Sequence, residues 1–194
     1  MVGKFTEKLY KKKRVFVPVC KKTKSIEDFE DPEILAVEED IEEEAPCALT
    51  EEIEAMFIEQ LPTLKRTVKK IVWHCTGTSL YATVTAILRY WFDKLNWKNP
   101  GYHIAVKHTG LWVLLHSFNN IANGVKGQNQ DSIHLSWIGG LKVNDMTPEQ
   151  KETLLIFYKM FKKYIPEAEH YGHDAFSNKA CPRFNTRAFF KQAT

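Results

Sequence analysis

The sequence predicts an α/β domain: a mixed central β-sheet flanked by helices, preceded by a charged N-terminal extension. Three observations point there. Through residues 67–194, short apolar runs alternate with stretches of helical periodicity, the pattern of a sheet covered by helices. At His108-Thr109-Gly110 two apolar runs follow one another across a tight turn, so at least one pair of strands is a hairpin. Residues 1–66, by contrast, are dominated by blocks of like charge, which stay solvated more readily than they pack.

Val15-Phe16-Val17-Pro18-Val19 reads as one strand, which Pro18 confines to an edge. The acidic run 27–44 either remains a partly disordered tail or lies on the basic remainder of the chain as a lid or decoy. Residues 50–61 predict a short amphipathic helix. Thr50 caps it, Glu51 and Glu52 sit at its positive end, Ile53, Met56, Phe57 and Leu61 recur at helical spacing, and Pro62 ends it. This extension, 1–66, is read as partly disordered or docked on a second domain, 67–194.

In that second domain, residues 69–74 are an apolar run bounded by charge, a buried strand that ends in His74-Cys75-Thr76-Gly77-Thr78. Residues 81–96 predict a helix with Val84, Ile87, Leu88, Trp91 and Leu95 on one stripe. Asn99-Pro100-Gly101 is a turn, and 102–107 and 111–115 are the hairpin strands. A polar loop, 119–129, leads to a strand at 132–138 closed by Gly139-Gly140. Thr147, Pro148 and Gln150 form the cap, first position and capping box of a long helix buried through Leu154, Leu155, Tyr158, Phe161 and Ile165. Residues 170–185, with few aliphatics, read as an ordered loop, after which Asn185 caps a short last helix through Phe189 and Phe190.

Composition narrows the function classes. The 44% hydrophobic and 12% aromatic content is that of a globular chain. No window approaches the roughly 18 uninterrupted apolar residues of a membrane span. The lysine-bearing start lacks an apolar segment behind it, so no secretory signal is read and synthesis in the cytoplasm is expected. Cys20, Cys47, Cys75 and Cys181 form no CxxC pair, against a zinc ribbon or a disulfide framework. The net charge of +3 conceals an asymmetry: nine bases against one acid in 1–24, fourteen acids and no base in 25–54, eighteen bases against nine acids in 55–194. The cationic last segment suits a polyanion, whether nucleic acid, an acidic membrane or an anionic wall polymer, and charge alone does not choose among them.

The chemistry concentrates in 170–185, where His173, Lys179 and Cys181 share one loop. Two metal-capable side chains do not make a catalytic zinc site, which takes three protein ligands and an open position. His74 can supply the third, or it is a hydrogen-bonded structural residue at a strand end. Cys75 is a poor choice, because neighbours in a strand point to opposite faces. Tyr102 reads equally as a catalytic phenol or a wet core residue, and Lys179 as an oxyanion partner or a surface charge.

Ile71-Val72-Trp73-His74-Cys75-Thr76-Gly77-Thr78, then Gly101-Tyr102-His103, Val125-Lys126-Gly127-Gln128-Asn129 with Ser132-Ile133 and Gly139-Gly140, and finally Gly172-His173 with Lys179-Ala180-Cys181-Pro182 occur in this order. Over about residues 68–192 the chain resembles the zinc-dependent N-acetylmuramoyl-L-alanine amidases of the phage-lysozyme and peptidoglycan-recognition-protein type. That resemblance implies the corresponding fold and one Zn²⁺ held by His74, His173 and Cys181. It implies Tyr102 and Lys179 as assisting catalytic residues, and contacts to substrate from His103, Lys126 and Asn129. Two imidazoles and a thiolate would leave the zinc a net positive charge and lower the pKa of its water toward ~7. The implied partner is bacterial peptidoglycan rather than nucleic acid, met by a monomer acting on the wall after release, as a phage or prophage endolysin does. Relatives that only bind peptidoglycan lose the cysteine, and some phage lysozymes also regulate a polymerase. Two positions depart from the pattern: Gly124 stands where such amidases often have a histidine, and Trp91-Phe92 where many have Trp-His.

Overall fold

The computed structural model describes residues 45–143 and 145–193. The predicted strand at 15–19 and the acidic run 27–44 lie outside the described residues. The elements are helix α1 (Ala45–Gln60), strand β1 (Lys70–Cys75), helix α2 (Val84–Arg89), strands β2 (Ile104–Val106), β3 (Trp112–Leu114) and β4 (Ser132–Trp137), helix α3 (Pro148–Tyr164), strand β5 (Glu169–Gly172) and helix α4 (Thr186–Phe190). The five strands form one mixed sheet in the order β3-β2-β4-β1-β5, with only the β2–β3 hairpin antiparallel. The predicted mixed sheet flanked by helices is the fold observed.

One face of the sheet carries the apolar core. Alternation sends Ile71 and Trp73 of β1, Ile104 and Val106 of β2, and Ile133, Leu135 and Trp137 of β4 to that side. There they meet Leu154, Phe157 and Phe161 of α3 and Ile53, Met56 and Phe57 of α1. Aromatic rings interlock edge to face, Phe57 on Phe161 with centroids 4.9 Å apart and Trp112 on Phe157 at 5.6 Å. Helix α3 begins as expected: Thr147 Oγ1 accepts from the Gln150 amide at 3.1 Å, and Gln150 Oε1 accepts from the Thr147 amide at 3.1 Å.

Three expectations change. Helix α1 starts five residues before Thr50, and its fully buried Ile53 and Phe57 make it part of the domain core. Glu54 on α1 is bonded by Lys163 and Tyr164 of α3, each at 2.5 Å. The segment that follows is stitched in by Arg66, whose guanidinium donates to the carbonyls of Phe118 (2.6 Å), Gln130 (3.0 Å) and Ser132 (2.8 Å). Helix α2 begins at Val84, capped by Thr83, and widens into a π-turn over Tyr90–Lys94. Finally, 169–172 is a strand and not a loop: β5 pairs in parallel with β1, Ile71 opposite His170 and Trp73 opposite Gly172. Its four residues lack an aliphatic signature because the pairing with β1, rather than their own propensity, makes them extended.

Candidate metal centre and cleft

The parallel strands β5, β1 and β4 end side by side, and the residues at their carboxyl ends converge, which is where open α/β sheets place ligands. His74 is the penultimate residue of β1, and His173 follows β5 directly. Cys181 lies at the far end of the loop that His173 opens. That loop is pinned from several sides. The Asp174 amide donates to the Cys181 carbonyl at 2.8 Å, the Trp137 indole to the Pro182 carbonyl at 3.0 Å, and Arg183 Nε to the Gly140 carbonyl at 3.1 Å. Gly140, at φ +83°, passes so close to β1 that a Cβ there would meet Cys75 Sγ at 2.6 Å.

His74 Nδ1 lies 3.2 Å from His173 Nδ1 and 3.8 Å from Cys181 Sγ, and the three ligand atoms are all within 4.8 Å of one another. Tetrahedral zinc with bonds of about 2.0–2.1 Å to nitrogen and 2.3 Å to sulfur sets two nitrogens about 3.3 Å apart, and nitrogen and sulfur about 3.6 Å apart. The two spacings from His74 lie close to these values, and all three atoms are near enough to be candidate ligands of one metal ion. Cys75 stands outside the group, as strand alternation requires. Its backbone amide nonetheless donates to Cys181 Sγ at 3.2 Å, the kind of bond that steadies a thiolate.

The electrostatics favour neutral imidazoles. Burial, then the His134 and His173 rings and Lys179, push the His74 pKa well below the usual histidine range. Burial and then Lys179 lower His173. The hydrogen bond shared with Cys75, and burial, push the Cys181 thiol up, so a cation has to draw its proton off.

A cleft of about 270 Å³ opens onto this group and is lined by Tyr102, Lys179, Arg183, Thr76 and Leu141 among others. Tyr102 is half-buried; its ring packs 4.9 Å from that of His74 and its hydroxyl donates to the Cys75 carbonyl at 3.4 Å. Burial, reinforced by the two thiols, raises its pKa, so the phenol keeps its proton. Lys179 is exposed at the rim. Thus five of the residues singled out in the sequence, His74, His173, Cys181, Tyr102 and Lys179, meet in one place.

The other three do not. His103 is fully buried, its Nδ1 accepting from the His134 amide at 3.0 Å and its Nε2 lying 3.1 Å from the Asn120 carbonyl. It has no surface to offer a substrate, which corrects that expectation. Asn129 is occupied in closing its own loop, its Oδ1 accepting from the Val125 amide at 2.7 Å. Lys126 is exposed, and neither it nor Asn129 lines the cleft. One residue was missed: His134, fully buried on β4, whose Nδ1 lies 3.0 Å from His74 Nε2. The signal was there in the alternation Ser132-Ile133-His134-Leu135-Ser136-Trp137, which puts a histidine on the polar side of the strand beside β1.

A mixed sheet with a His-His-Cys group at its carboxyl edge defines a class of metal-site α/β domains. Within it, the sequence profile of the N-acetylmuramoyl-L-alanine amidases matches residues 64–184, and the chain belongs to that family. No curated protein sequence matches the chain. Among solved structures, it is similar to the Ph2119 endolysin from a Thermus scotoductus bacteriophage, with 21% identity over 66% of this chain and 84% of that one, at a TM-score of 0.59. It is also similar to the endolysin amidase LysCS from Clostridium intestinale (19% identity, 66% and 82% covered, TM-score 0.57) and to Drosophila peptidoglycan recognition protein SD (15% identity, 66% and 82% covered, TM-score 0.58). No helix among the described residues is long and apolar enough to cross a membrane.

Proposed function

We propose that this chain is a zinc-dependent peptidoglycan hydrolase that cleaves the amide between N-acetylmuramic acid and the L-alanine of the stem peptide, as an endolysin acting on the cell wall. The observation that carries the reading is the convergence of His74, His173 and Cys181 at one end of a cleft that also exposes Tyr102 and Lys179. His74 Nδ1, His173 Nδ1 and Cys181 Sγ would hold the ion. When bound, it supplies a Lewis acid that polarises the amide carbonyl and acidifies water at neutral pH.

The chain's own residues do the rest. Tyr102, which keeps its proton, can turn its O–H from the Cys75 carbonyl to a bound substrate and orient it. Lys179, an ammonium at the rim of the same cleft, stabilises the negative charge that develops on the amide oxygen. The Cys75 amide holds Cys181 Sγ in place without adding charge. Arg183, on the opposite side of Cys181 in sequence, adds a second cation to the cleft lining, which suits a substrate bearing carboxylates.

The test pairs a zinc determination with digestion of purified walls, with and without chelator. Release of new L-alanine amino termini without new reducing sugar ends, abolished by chelator and restored by zinc, is the expected result. Tight wall binding with no release would establish a recognition protein instead, and release of reducing ends would establish a glycosidase.

A further inference from the structure

Three histidines stand in a row across the sheet, His103 just before β2, His134 on β4 and His74 on β1, on the face opposite the aromatic core. Each ring is tied to the next strand. The His134 backbone amide donates to His103 Nδ1 at 3.0 Å, so His103 carries its hydrogen on Nε2, directed at the Asn120 carbonyl 3.1 Å away. His74 turns Nδ1 toward His173 and Cys181. A nitrogen that binds a metal carries no hydrogen, so a neutral His74 must keep its hydrogen on Nε2. That nitrogen lies 3.0 Å from His134 Nδ1.

His134 is costly as a mere core filler. Its Nε2 is buried and has no hydrogen-bond partner among the described residues, which is unfavourable for any polar group and would be avoided by an apolar side chain of similar size. Space is also kept for it: a Cβ on Gly124 would lie 2.3 Å from His134 Nδ1, so the loop at 124 stays bare where the ring sits. A bare nitrogen and a cleared loop are both explained if the ring is there to present Nδ1 to its neighbour.

We infer that His134 is a positioning residue: its Nδ1 accepts the Nε2 hydrogen of His74 and so fixes the tautomer and orientation in which His74 offers Nδ1 to the metal. The inference rests on the zinc-amidase reading above. Histidine ligands are commonly held this way by a carboxylate or a carbonyl. A neutral imidazole in that role orients the ligand without placing negative charge behind it. The positive charge left at the centre by two imidazoles and one thiolate is thereby undiminished, which favours polarisation of an amide. The bare Nε2 of His134 is then the far end of a one-way chain of hydrogen bonds, a group sacrificed for the direction of the others.

The experiment measures zinc affinity by chelator competition on the full chain, native and with His134→Leu or His134→Gln, with folding followed by near-ultraviolet circular dichroism. Loss of such a partner typically weakens metal binding about 10–100-fold. The expected result is a weakening of that order in His134→Leu and recovery of most of it in His134→Gln, whose Oε1 can accept the same hydrogen. Native affinity in His134→Leu overturns the inference, as does a His134→Gln no better than His134→Leu. Should the leucine variant not fold, long-range ¹H–¹⁵N spectra of the native zinc-loaded protein decide. Hydrogen on Nε2 of both His74 and His134 is expected, and a His134 ring protonated on Nδ1 instead overturns the inference. A native chain that takes up no zinc defeats the amidase reading itself, whereas native uptake with indifferent variants defeats only the role given to His134.

Discussion

The two faces of the sheet are built from alternate residues of the same strands, yet they do different work. On β1, Ile71 and Trp73 enter the aromatic core while Val72 and His74 face the other way; on β4, Ile133, Leu135 and Trp137 oppose Ser132, His134 and Ser136. Each face carries a histidine with a tryptophan or histidine partner, half-buried His170 on one and buried His74 on the other. On the core face, His170 stacks on Trp73, its Nδ1 accepts from the Trp73 indole at 3.2 Å, and aromatic rings close around it. On the other face, His74 meets His173 and Cys181, which line a cleft. The imidazole is the same; what differs is whether its lone pairs end on a core donor or on other ligand atoms. A histidine on this sheet therefore declares its role through its neighbours.

The comparison is broken most severely by Cys181→Ala. Zinc uptake and wall hydrolysis should both be lost while the fold remains, because the large aromatic side chains that fill the core are untouched; an unfolded variant in circular dichroism would show the site to be structural. Next, Phe161→Ala on the core face should cost about 3–5 kcal/mol of stability by large-to-small truncation, read from urea unfolding. Zinc stoichiometry in the surviving folded fraction should be unchanged. The two variants together separate chemistry from packing.

Lys179→Ala sharpens the site further. Turnover should fall about 10²–10³-fold, the usual loss for an oxyanion partner, with binding of wall fragments little altered. Unchanged kcat with a raised KM would instead make Lys179 a holder of an acidic part of the substrate.

The smallest effect concerns charge. Deleting 27–44, a segment with no basic residue, from a chain whose remainder is cationic should strengthen binding of anionic wall fragments at low salt. The gap should close as the Debye length falls from ~10 Å at 0.1 M to ~3 Å at 1 M. Individual exposed pairs contribute only about 0.2–1 kcal/mol, so a shift of a few-fold in Kd is expected from paired isotherms at two salt concentrations. Equal affinities at low salt would make the run an inert tail. The deletion must stop short of Ala45, where α1 begins.

What could be read in the sequence was what local rules encode. Residues 70–75 announce a buried strand by their apolar run, the cap at Thr147 places α3, and the hairpin follows from its turn. The five residues that meet at the cleft were singled out through motif order. Strand β5 was not, because four residues with one glycine become a strand only once β1 lies alongside. The place of α1 in the core was equally hidden. Ile53, Met56 and Phe57 show a helix with an apolar stripe, but not that Phe161 and Phe118 wait to receive it. His134 escaped because its meaning lies in register: only the pairing of Val72 with His134 brings that ring beside His74. His103 was misread for the converse reason, since a residue next to Tyr102 in sequence is turned into the interior.

The bond from the Trp137 indole to the Pro182 carbonyl has a thermodynamic consequence. Trp137 is one of the largest enclosed side chains in the molecule, and it grips the segment that bears Lys179 and Cys181 one residue beyond the cysteine. Surface loops ordinarily open by local fluctuation, well below the free energy of global unfolding. Here the loop is closed on itself by the Asp174 amide bonded to the Cys181 carbonyl and held to β4 by the Trp137 indole, so opening it breaks both bonds. The loop is therefore expected to open less readily than its exposure suggests, which hydrogen exchange at the Asp174 amide would measure.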